Sequence, residues 1–255
     1  WSSDVCSSDL GLSWSAMRIA LDEVTPWGMR LIGYSIGAAT LLILLKAQGR
    51  SLAIPGGRNL LHVLVAALLL IVSFGITGTF AQLMANTSRV IIVNYSMPIW
   101  GSLMAFFILR ERIDARAAIG LVLCITGLSI LVYPVAAVSI EEPIGLLLAL
   151  CCAFGWAGGT VYMKWARIQG DLLAITFWQI VIGIAAFLIG YLVFVGPPTY
   201  QPLQWRTWGG LLFNGILGTG IAYFIWFSII GRLSTAAASL GTLANPVVGV
   251  IGAAI

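Results

Sequence analysis

The residues that could carry out acid–base or nucleophilic chemistry are few in this sequence. His62 is the only histidine, and the four cysteines, at positions 6, 124, 151 and 152, form no CxxC pair. The carboxylates fall in predicted loops or in the N-terminal tail. Because catalysis needs a nucleophile beside a base or a cluster of metal ligands, this pattern argues against an enzyme. It also predicts no metal site, no cofactor and no disulfide framework.

Two prolines inside apolar blocks are more informative than the ionisable residues. Pro98 follows Asn94 by four positions, and Pro246 follows Thr242 by four positions. A proline lacks a backbone donor and clashes with the carbonyl four residues earlier. In lipid, a freed carbonyl needs a partner or a water-filled cavity. We expect both helices to bend and to expose polar backbone to a pathway, and a kink healed by neighbouring helices is the alternative.

Arg30 and Gln179 are polar side chains near the beginnings of two further apolar blocks. An arginine there can snorkel to the membrane interface or can pair with an anionic group on a substrate. Gln179 is expected at the matching place in the second half of the chain. Deep tryptophans suit helix packing or the wall of a ligand cavity. The candidate pathway residues are Trp14, Arg30, Asn94, Pro98, Trp156, Gln179, Thr242, Asn245 and Pro246.

The elements that hold these residues must lie in lipid. Hydrophobic residues make up 60% of the chain and charged residues 9%, whereas soluble domains carry about 25% charged residues. The mean hydropathy is +1.02. The net charge of +4 comes from basic residues scattered singly between apolar blocks, so no nucleic-acid partner is expected. The composition therefore predicts an all-α, polytopic membrane helix bundle.

Eight blocks are long and apolar enough to span a membrane as helices, which takes about 20 residues, and a half-span precedes them. The half-span is 11–21, and the spans are 26–45, 60–84, 90–109, 115–132, 144–163, 172–195, 208–230 and 235–255. Residues 1–10 match nothing that follows and resemble a non-native, adapter-like tail.

The basic residues predict how the spans are oriented. Nine of the 13 flank one set of loops, which the positive-inside rule predicts to be cytoplasmic. Within the first full span, Gly33 and Gly37 are spaced four apart and predict a seam where another helix packs closely.

Two segments of the chain are alike. Residues 87–107 and 234–255 correspond at an offset of 148 positions, and each carries its proline in mid-helix. Four predicted spans lie between them, so they cross the membrane in opposite senses. Opposed repeats with proline-interrupted helices are typical of secondary transporters.

Several further segments recur in a specific order and spacing: 13–18, 25–30, Pro98 with 110–113, Gly120, Gly127, 155–157, 218–220 and Asn245-Pro246. With these segments the sequence resembles an EamA-type member of the drug/metabolite transporter superfamily. The resemblance implies ten helices in two inverted five-helix repeats, here 11–133 with a partial first helix and 144–255. It also implies that the ninth helix is cut and the tenth is missing, so that the chain is a fragment.

The resemblance implies a multi-pass secondary transporter that exports small organic metabolites or drugs by alternating access. A sugar or nucleotide-sugar carrier of the same superfamily is an alternative, and an intramembrane lipid-modifying enzyme is a more distant one. The expected partners are a small-molecule substrate and membrane lipid, and a homodimer is left open. The expected location is the bacterial inner membrane.

Overall fold

A computed structural model describes residues 16–54, 56–111, 115–132, 141–197 and 202–225. Regular structure in this part of the chain is entirely helical, which confirms the predicted class. A helical segment at 16–21 precedes the longer helices. These helices are α1 Pro26–Ala47, α2 Arg58–Met84, α3 Thr87–Leu109, α4 Ala115–Val132, α5 Glu141–Ala166, α6 Leu172–Phe194 and α7 Trp205–Ile225.

Six of these helices, α1, α2, α3, α5, α6 and α7, are long and apolar enough to cross a membrane. Helix α4 coincides with the predicted block 115–132. Four of the six begin two or three residues before the predicted blocks, because polar residues precede the apolar run of a helix. The predicted span 235–255 and the candidate residues Trp14, Thr242, Asn245 and Pro246 lie outside the described residues.

Polar caps set where the helices begin. The Thr25 hydroxyl accepts a hydrogen bond of 3.2 Å from the Gly28 N–H, and Pro26 occupies the first position of α1. The Asn86 side chain caps α3, and the Asp171 carboxylate caps α6. A cap satisfies N–H groups that have no partner inside the helix. The caps therefore hold the polar backbone at the helix ends, where the hydrocarbon stops.

Three helices contain a wide π-helical turn that was not predicted from the sequence. In α2 it spans Leu68–Ser73, and in α7 it spans Asn214–Ile221. The starts of these turns are 146 positions apart, close to the 148-position offset of the repeat. A third wide turn, Ala105–Leu109, ends α3. Because π turns often mark functional sites, the pair in α2 and α7 identifies these two helices as candidates for holding the functional site.

Glycines allow these helices to pack closely. A Cβ atom added to Gly37 would lie 2.5 Å from the Thr219 Cγ2, so α1 and α7 are in direct contact there. A Cβ atom added to Gly215 would lie 2.9 Å from the Gly33 carbonyl oxygen. The predicted seam at Gly33 and Gly37 is therefore confirmed. Lipid tails give helices no hydrophobic reason to associate, so close contact between backbones is a main source of their attraction.

Large apolar side chains cover the outside of the bundle. Ile43, Phe107 and Val193 are 68%, 73% and 69% exposed, and they lie on three different helices. A soluble protein rarely exposes so many large apolar side chains to this extent. The outer face therefore fits the hydrocarbon of a bilayer.

Polar contacts join the helices at the end that is predicted to be cytoplasmic. The Arg50 guanidinium donates to the Asp171 carboxylate at 3.1 Å. Asn59 and the Gln169 backbone exchange two hydrogen bonds of 2.8 and 2.9 Å. The Trp178 indole N–H donates to the Leu52 carbonyl oxygen at 2.8 Å. The connection between α1 and α2 is thus bonded to the connection between α5 and α6, and α1 and α6 are antiparallel.

A second set of contacts closes the opposite end. The Glu23 carboxylate accepts hydrogen bonds from the Thr207 hydroxyl at 2.7 Å and the Gln204 N–H at 2.9 Å. The Thr207 hydroxyl, and after it the Gln204 N–H, hold the pKa of Glu23 below its usual value. These bonds are therefore present at neutral pH and are lost as the pH falls through that lowered pKa.

Two variants of Asp171 should separate its capping role from its ion pair. Its carboxylate accepts from the Leu173 N–H at 2.8 Å as well as from Arg50. Asp171→Asn keeps a good cap and loses the ion pair, which is exposed and should cost under ~1 kcal/mol. Asp171→Ala loses both and should cost roughly 1–2 kcal/mol. Thermal unfolding of the purified protein at low and high salt measures the difference. If Asp171→Asn destabilises as much as Asp171→Ala, the ion pair and not the cap is the main contribution.

Candidate functional site

Arg30 is a buried guanidinium inside a membrane span. It lies in α1, five residues after the Thr25 cap, and it is 6% exposed. Its Nε donates to the Gly75 carbonyl oxygen at 3.1 Å and to the Thr79 hydroxyl. Its Nη2 lies 3.1 Å from the Met17 sulfur. The guanidinium therefore joins α1 to α2 and to the segment before α1, and it does not snorkel to the interface.

No described carboxylate pairs with this charge. The ion pairs of the described residues join Arg50 to Asp171, Arg89 to Glu142 and Lys164 to Glu111, all near helix ends. The partners of Arg30 are two neutral oxygens, a thioether and the Tyr34 ring, whose centroid is 5.6 Å from Cζ. An unpaired buried charge is costly and in a membrane marks a functional site by default.

An aromatic wall extends from Arg30 into the bundle. The Tyr34 ring stacks on Phe187 with centroids 5.3 Å apart. Tyr34 also belongs to the buried cluster that includes Tyr223, and Trp156 packs against this cluster. The Trp156 ring lies 4.9 Å from Phe74 and 5.7 Å from Tyr223. Tyr34 and Tyr223 thus connect two residues that the sequence predicted separately, Arg30 and Trp156.

The π turns border this wall. Leu70 and Ile71, in the π turn of α2, belong to the same buried cluster as Tyr34 and Tyr223. Tyr223 follows the π turn of α7 by two residues. Carbonyls next to the π turn of α2 have extra donors, since the Thr79 hydroxyl also donates to the Gly75 carbonyl at 2.6 Å. Irregular backbone is tolerated at membrane depth only where protein or water satisfies it, and side chains do so here.

Helix α3 is interrupted where the proline motif predicted a bend. The helix stops after Asn94, turns at Tyr95 and Ser96, and resumes with Pro98 in its first turn. The Asn94 side chain is 1% exposed, and its Oδ1 has no hydrogen-bond partner among the described residues. An orphaned acceptor in a buried amide is unfavourable. It is therefore a second polar feature that packing does not explain.

Gln179 is buried at a different depth from Arg30. It is fully buried in α6, its Nε2 lies 3.5 Å from the Met163 sulfur, and its Oε1 has no partner among the described residues. It lies eight residues after the Asp171 cap, so Thr176 is the residue that corresponds to Arg30 by distance from the cap. Because α1 and α6 are antiparallel, Arg30 and Gln179 lie near opposite ends of the bundle. The structure does not bring them together.

Several site residues were absent from the sequence prediction. Tyr34 lies one turn after Arg30, so a search for polar neighbours at helical spacing would have found it. Thr79 lies on another helix, 49 positions from Arg30, so helical spacing gave no signal for it. Met17 had no such signal, because a methionine in an apolar block looks like packing.

Comparison with known proteins supports the membrane interpretation. The model of the EamA-like transporter family matches residues 10–133 and 143–255. The uncharacterized transporter YoaV of Bacillus subtilis (strain 168) is 25% identical over 93% of this chain and 81% of its own length. A protein of Escherichia coli (strain K12) named "Probable amino-acid metabolite efflux pump" is 24% identical over 93% of this chain and 85% of its own.

The fold also has a counterpart among solved structures. One crystal structure superposes with a TM-score of 0.75 at 21% identity and covers 98% of this chain and 86% of that one. The two family matches cover nearly the whole chain, one in each half. This family consists of transporters and not of enzymes. The chain therefore belongs to the EamA-like transporter family of the drug/metabolite transporter superfamily, and it is a multi-pass membrane protein.

Proposed function

We propose that this protein is a secondary transporter that exports small organic metabolites by alternating access. Its two inverted halves, 11–133 and 144–255, would rock around a site between Arg30 and Trp156. The single observation that carries the proposal is the buried Arg30 charge, which pairs with no carboxylate among the described residues and lies next to an aromatic wall that extends into the bundle. Such a site suits a small molecule with one polar end and one apolar end.

The pairing of helices supports two related halves. In two halves related by symmetry, a contact between two helices must recur between their counterparts. If α1 corresponds to α6 and α2 to α7, the contact between α1 and α7 must recur between α6 and α2. Both contacts are present. If the segment 16–21 corresponds to α5, the contact between α2 and α5 requires one between that segment and α7. A Cβ atom added to Gly210 of α7 would lie 2.6 Å from the Ala16 carbonyl oxygen, so this contact is present too.

The two sets of end contacts support alternating access. One set joins Arg50 to Asp171, and the other joins Glu23 to Thr207. Both are exposed or half-buried polar contacts of little individual strength. Contacts of this kind can break at one end while those at the other end hold, which is what exchange between two open states requires.

The substrate class and direction rest on the relatives. The Escherichia coli relative is named as an amino-acid metabolite efflux pump. Its resemblance over nearly the whole chain supports export of compounds of this kind.

Metabolite profiling of cells that express the full chain tests the proposal. We expect a defined group of small organic metabolites to accumulate in the medium, compared with cells that make an unrelated membrane protein at the same level. The same compounds should cross liposomes that contain the purified protein. Movement of sugars or nucleotide sugars alone would favour the alternative carrier, and no movement of any compound would overturn the proposal.

A further inference from the structure

The Arg30 guanidinium has hydrogen-bonding capacity that the protein does not use. Of its five N–H donors, the one on Nε contacts Gly75 and Thr79, and one on Nη2 contacts the Met17 sulfur. Nη1 makes no hydrogen bond to the described residues. A thioether is a weak acceptor, so the outer edge of the guanidinium, formed by Nη1 and Nη2, lacks a strong partner.

The chemistry of this edge identifies the missing partner. The two terminal nitrogens of a guanidinium match the two oxygens of a carboxylate, and the paired hydrogen bonds are among the strongest in proteins. The inner edge is already held by the Gly75 carbonyl and the Thr79 hydroxyl. The guanidinium is thus fixed in orientation, and a ligand would meet it without further ordering.

The charge count distinguishes a carboxylate from a phosphate. Arg30 brings one positive charge to the site, and its described hydrogen-bond partners are all neutral. Arg18, which follows Met17 in the sequence, adds no second positive charge to the site. It is exposed and donates to the Gln82 carbonyl oxygen at 2.8 Å. A ligand with a single negative charge would neutralise Arg30, whereas a dianion would leave a buried negative charge without a partner.

We propose that Arg30 makes this transporter selective for substrates that carry one carboxylate. The two carboxylate oxygens would accept from Nη1 and Nη2 and displace the Met17 sulfur, while the rest of the substrate lies against the wall of Tyr34, Tyr223 and Trp156. This inference rests on the proposed transport function. It adds the chemical group that the site recognises and the residue that recognises it.

Acid–amide pairs test the proposal. The purified full chain is reconstituted in liposomes, and fluxes above those of protein-free liposomes are measured for N-acetyl amino acids and their amides of graded size, from N-acetylglycine and N-acetylglycinamide to N-acetylphenylalanine and N-acetylphenylalaninamide. We expect the acids to move ~10-fold or more faster than their amides, since a site built to bond a group rejects the analogue that lacks it. Arg30→Gln should abolish this preference, and Arg30→Lys should retain part of it.

Two control variants separate recognition from structure. Thr79→Val removes a neutral partner that orients Arg30 but keeps the charge, so part of the preference for acids should remain, whereas Arg30→Gln abolishes it. Arg89→Gln removes an arginine that is paired with Glu142 at a helix end, so the preference should again remain. If Arg30→Gln does not fold, the parent protein still gives an answer, because the acids should raise its unfolding temperature more than the amides do.

Equal fluxes of acids and amides through the parent protein would overturn the role of Arg30 and leave the transport function intact. An equal loss of both fluxes in Arg30→Gln and Thr79→Val, with the preference unchanged, would assign Arg30 a structural role and would also overturn it. If the parent protein moves neither series and neither stabilises it, the carboxylate proposal fails. If metabolite profiling is negative as well, the proposed function fails with it.

Discussion

Gly37→Ala should destabilise the protein by roughly 1–3 kcal/mol, the usual cost of overpacking a tight contact. The added Cβ would lie 2.5 Å from the Thr219 Cγ2 and 2.8 Å from the Thr219 Cβ. Threonine is β-branched and stiff at χ1, so it cannot swing away as a long side chain could. Either α1 or α7 must shift, and the shift would open the seam between them. Unfolding of the purified protein in detergent, followed by the loss of the monodisperse peak on heating, measures the effect.

Gly33→Ala is the matched control, one turn earlier on the same helix. Its added Cβ would meet only the Asn214 Oδ1, at 3.5 Å, which is ordinary contact distance. Alanine is also a better helix former than glycine by roughly 0.5–1 kcal/mol. We expect Gly33→Ala to be neutral or slightly stabilising. Thr219→Gly should partly rescue Gly37→Ala, because it removes both clashing carbons. Equal melting temperatures for the two alanine variants would show that the seam is looser than these distances indicate.

The spans were predictable because lipid imposes a simple requirement. A helix must cover the hydrocarbon with about 20 apolar residues, and the blocks of this sequence show that length directly. The block 172–195 corresponds to α6, Leu172–Phe194, almost residue for residue. The interruption of α3 was predictable for a similar reason, since the effect of Pro98 on the backbone is local.

The surroundings of Arg30 could not be predicted from local pattern. Its partners Gly75 and Thr79 are 45 and 49 positions away along the chain. Their approach depends on how α1 and α2 pack, and helix periodicity carries no information about that. The sequence therefore left interfacial snorkelling and a buried role open for Arg30, and the structure places it in the interior.

The positions of the π turns could not be predicted from the sequence either. A wide turn differs from an α-helical turn by one extra residue, and its cost is offset by contacts from other helices. In α2 those contacts include the Cys152 thiol, which lies 3.5 Å from the Phe74 carbonyl oxygen. Such compensation appears only when distant segments are brought together.

Asn94→Ala should leave the protein as stable as before and reduce its transport rate. The Asn94 Oδ1 is buried and has no hydrogen-bond partner among the described residues. Removing an unsatisfied acceptor relieves a desolvation cost, so stability should not fall in the way that it does when a bonded partner is removed. The side chain lies at the interruption of α3, where Pro98 prevents a regular helix. We therefore expect Asn94 to bond substrate or water during transport.

The expected loss of transport is about tenfold, because a hydrogen bond to a neutral group contributes about 1 kcal/mol or somewhat more and about 1.4 kcal/mol is a factor of ten. Thr126→Ala is a suitable control, since the Thr126 hydroxyl is exposed and is bonded to the Val122 carbonyl of its own helix. Flux into liposomes and the unfolding temperature should be measured for both variants. Parental flux in Asn94→Ala would place the pathway elsewhere. A marked fall in its unfolding temperature would mean that Oδ1 has a structural partner, and the argument from the orphaned acceptor would then be wrong.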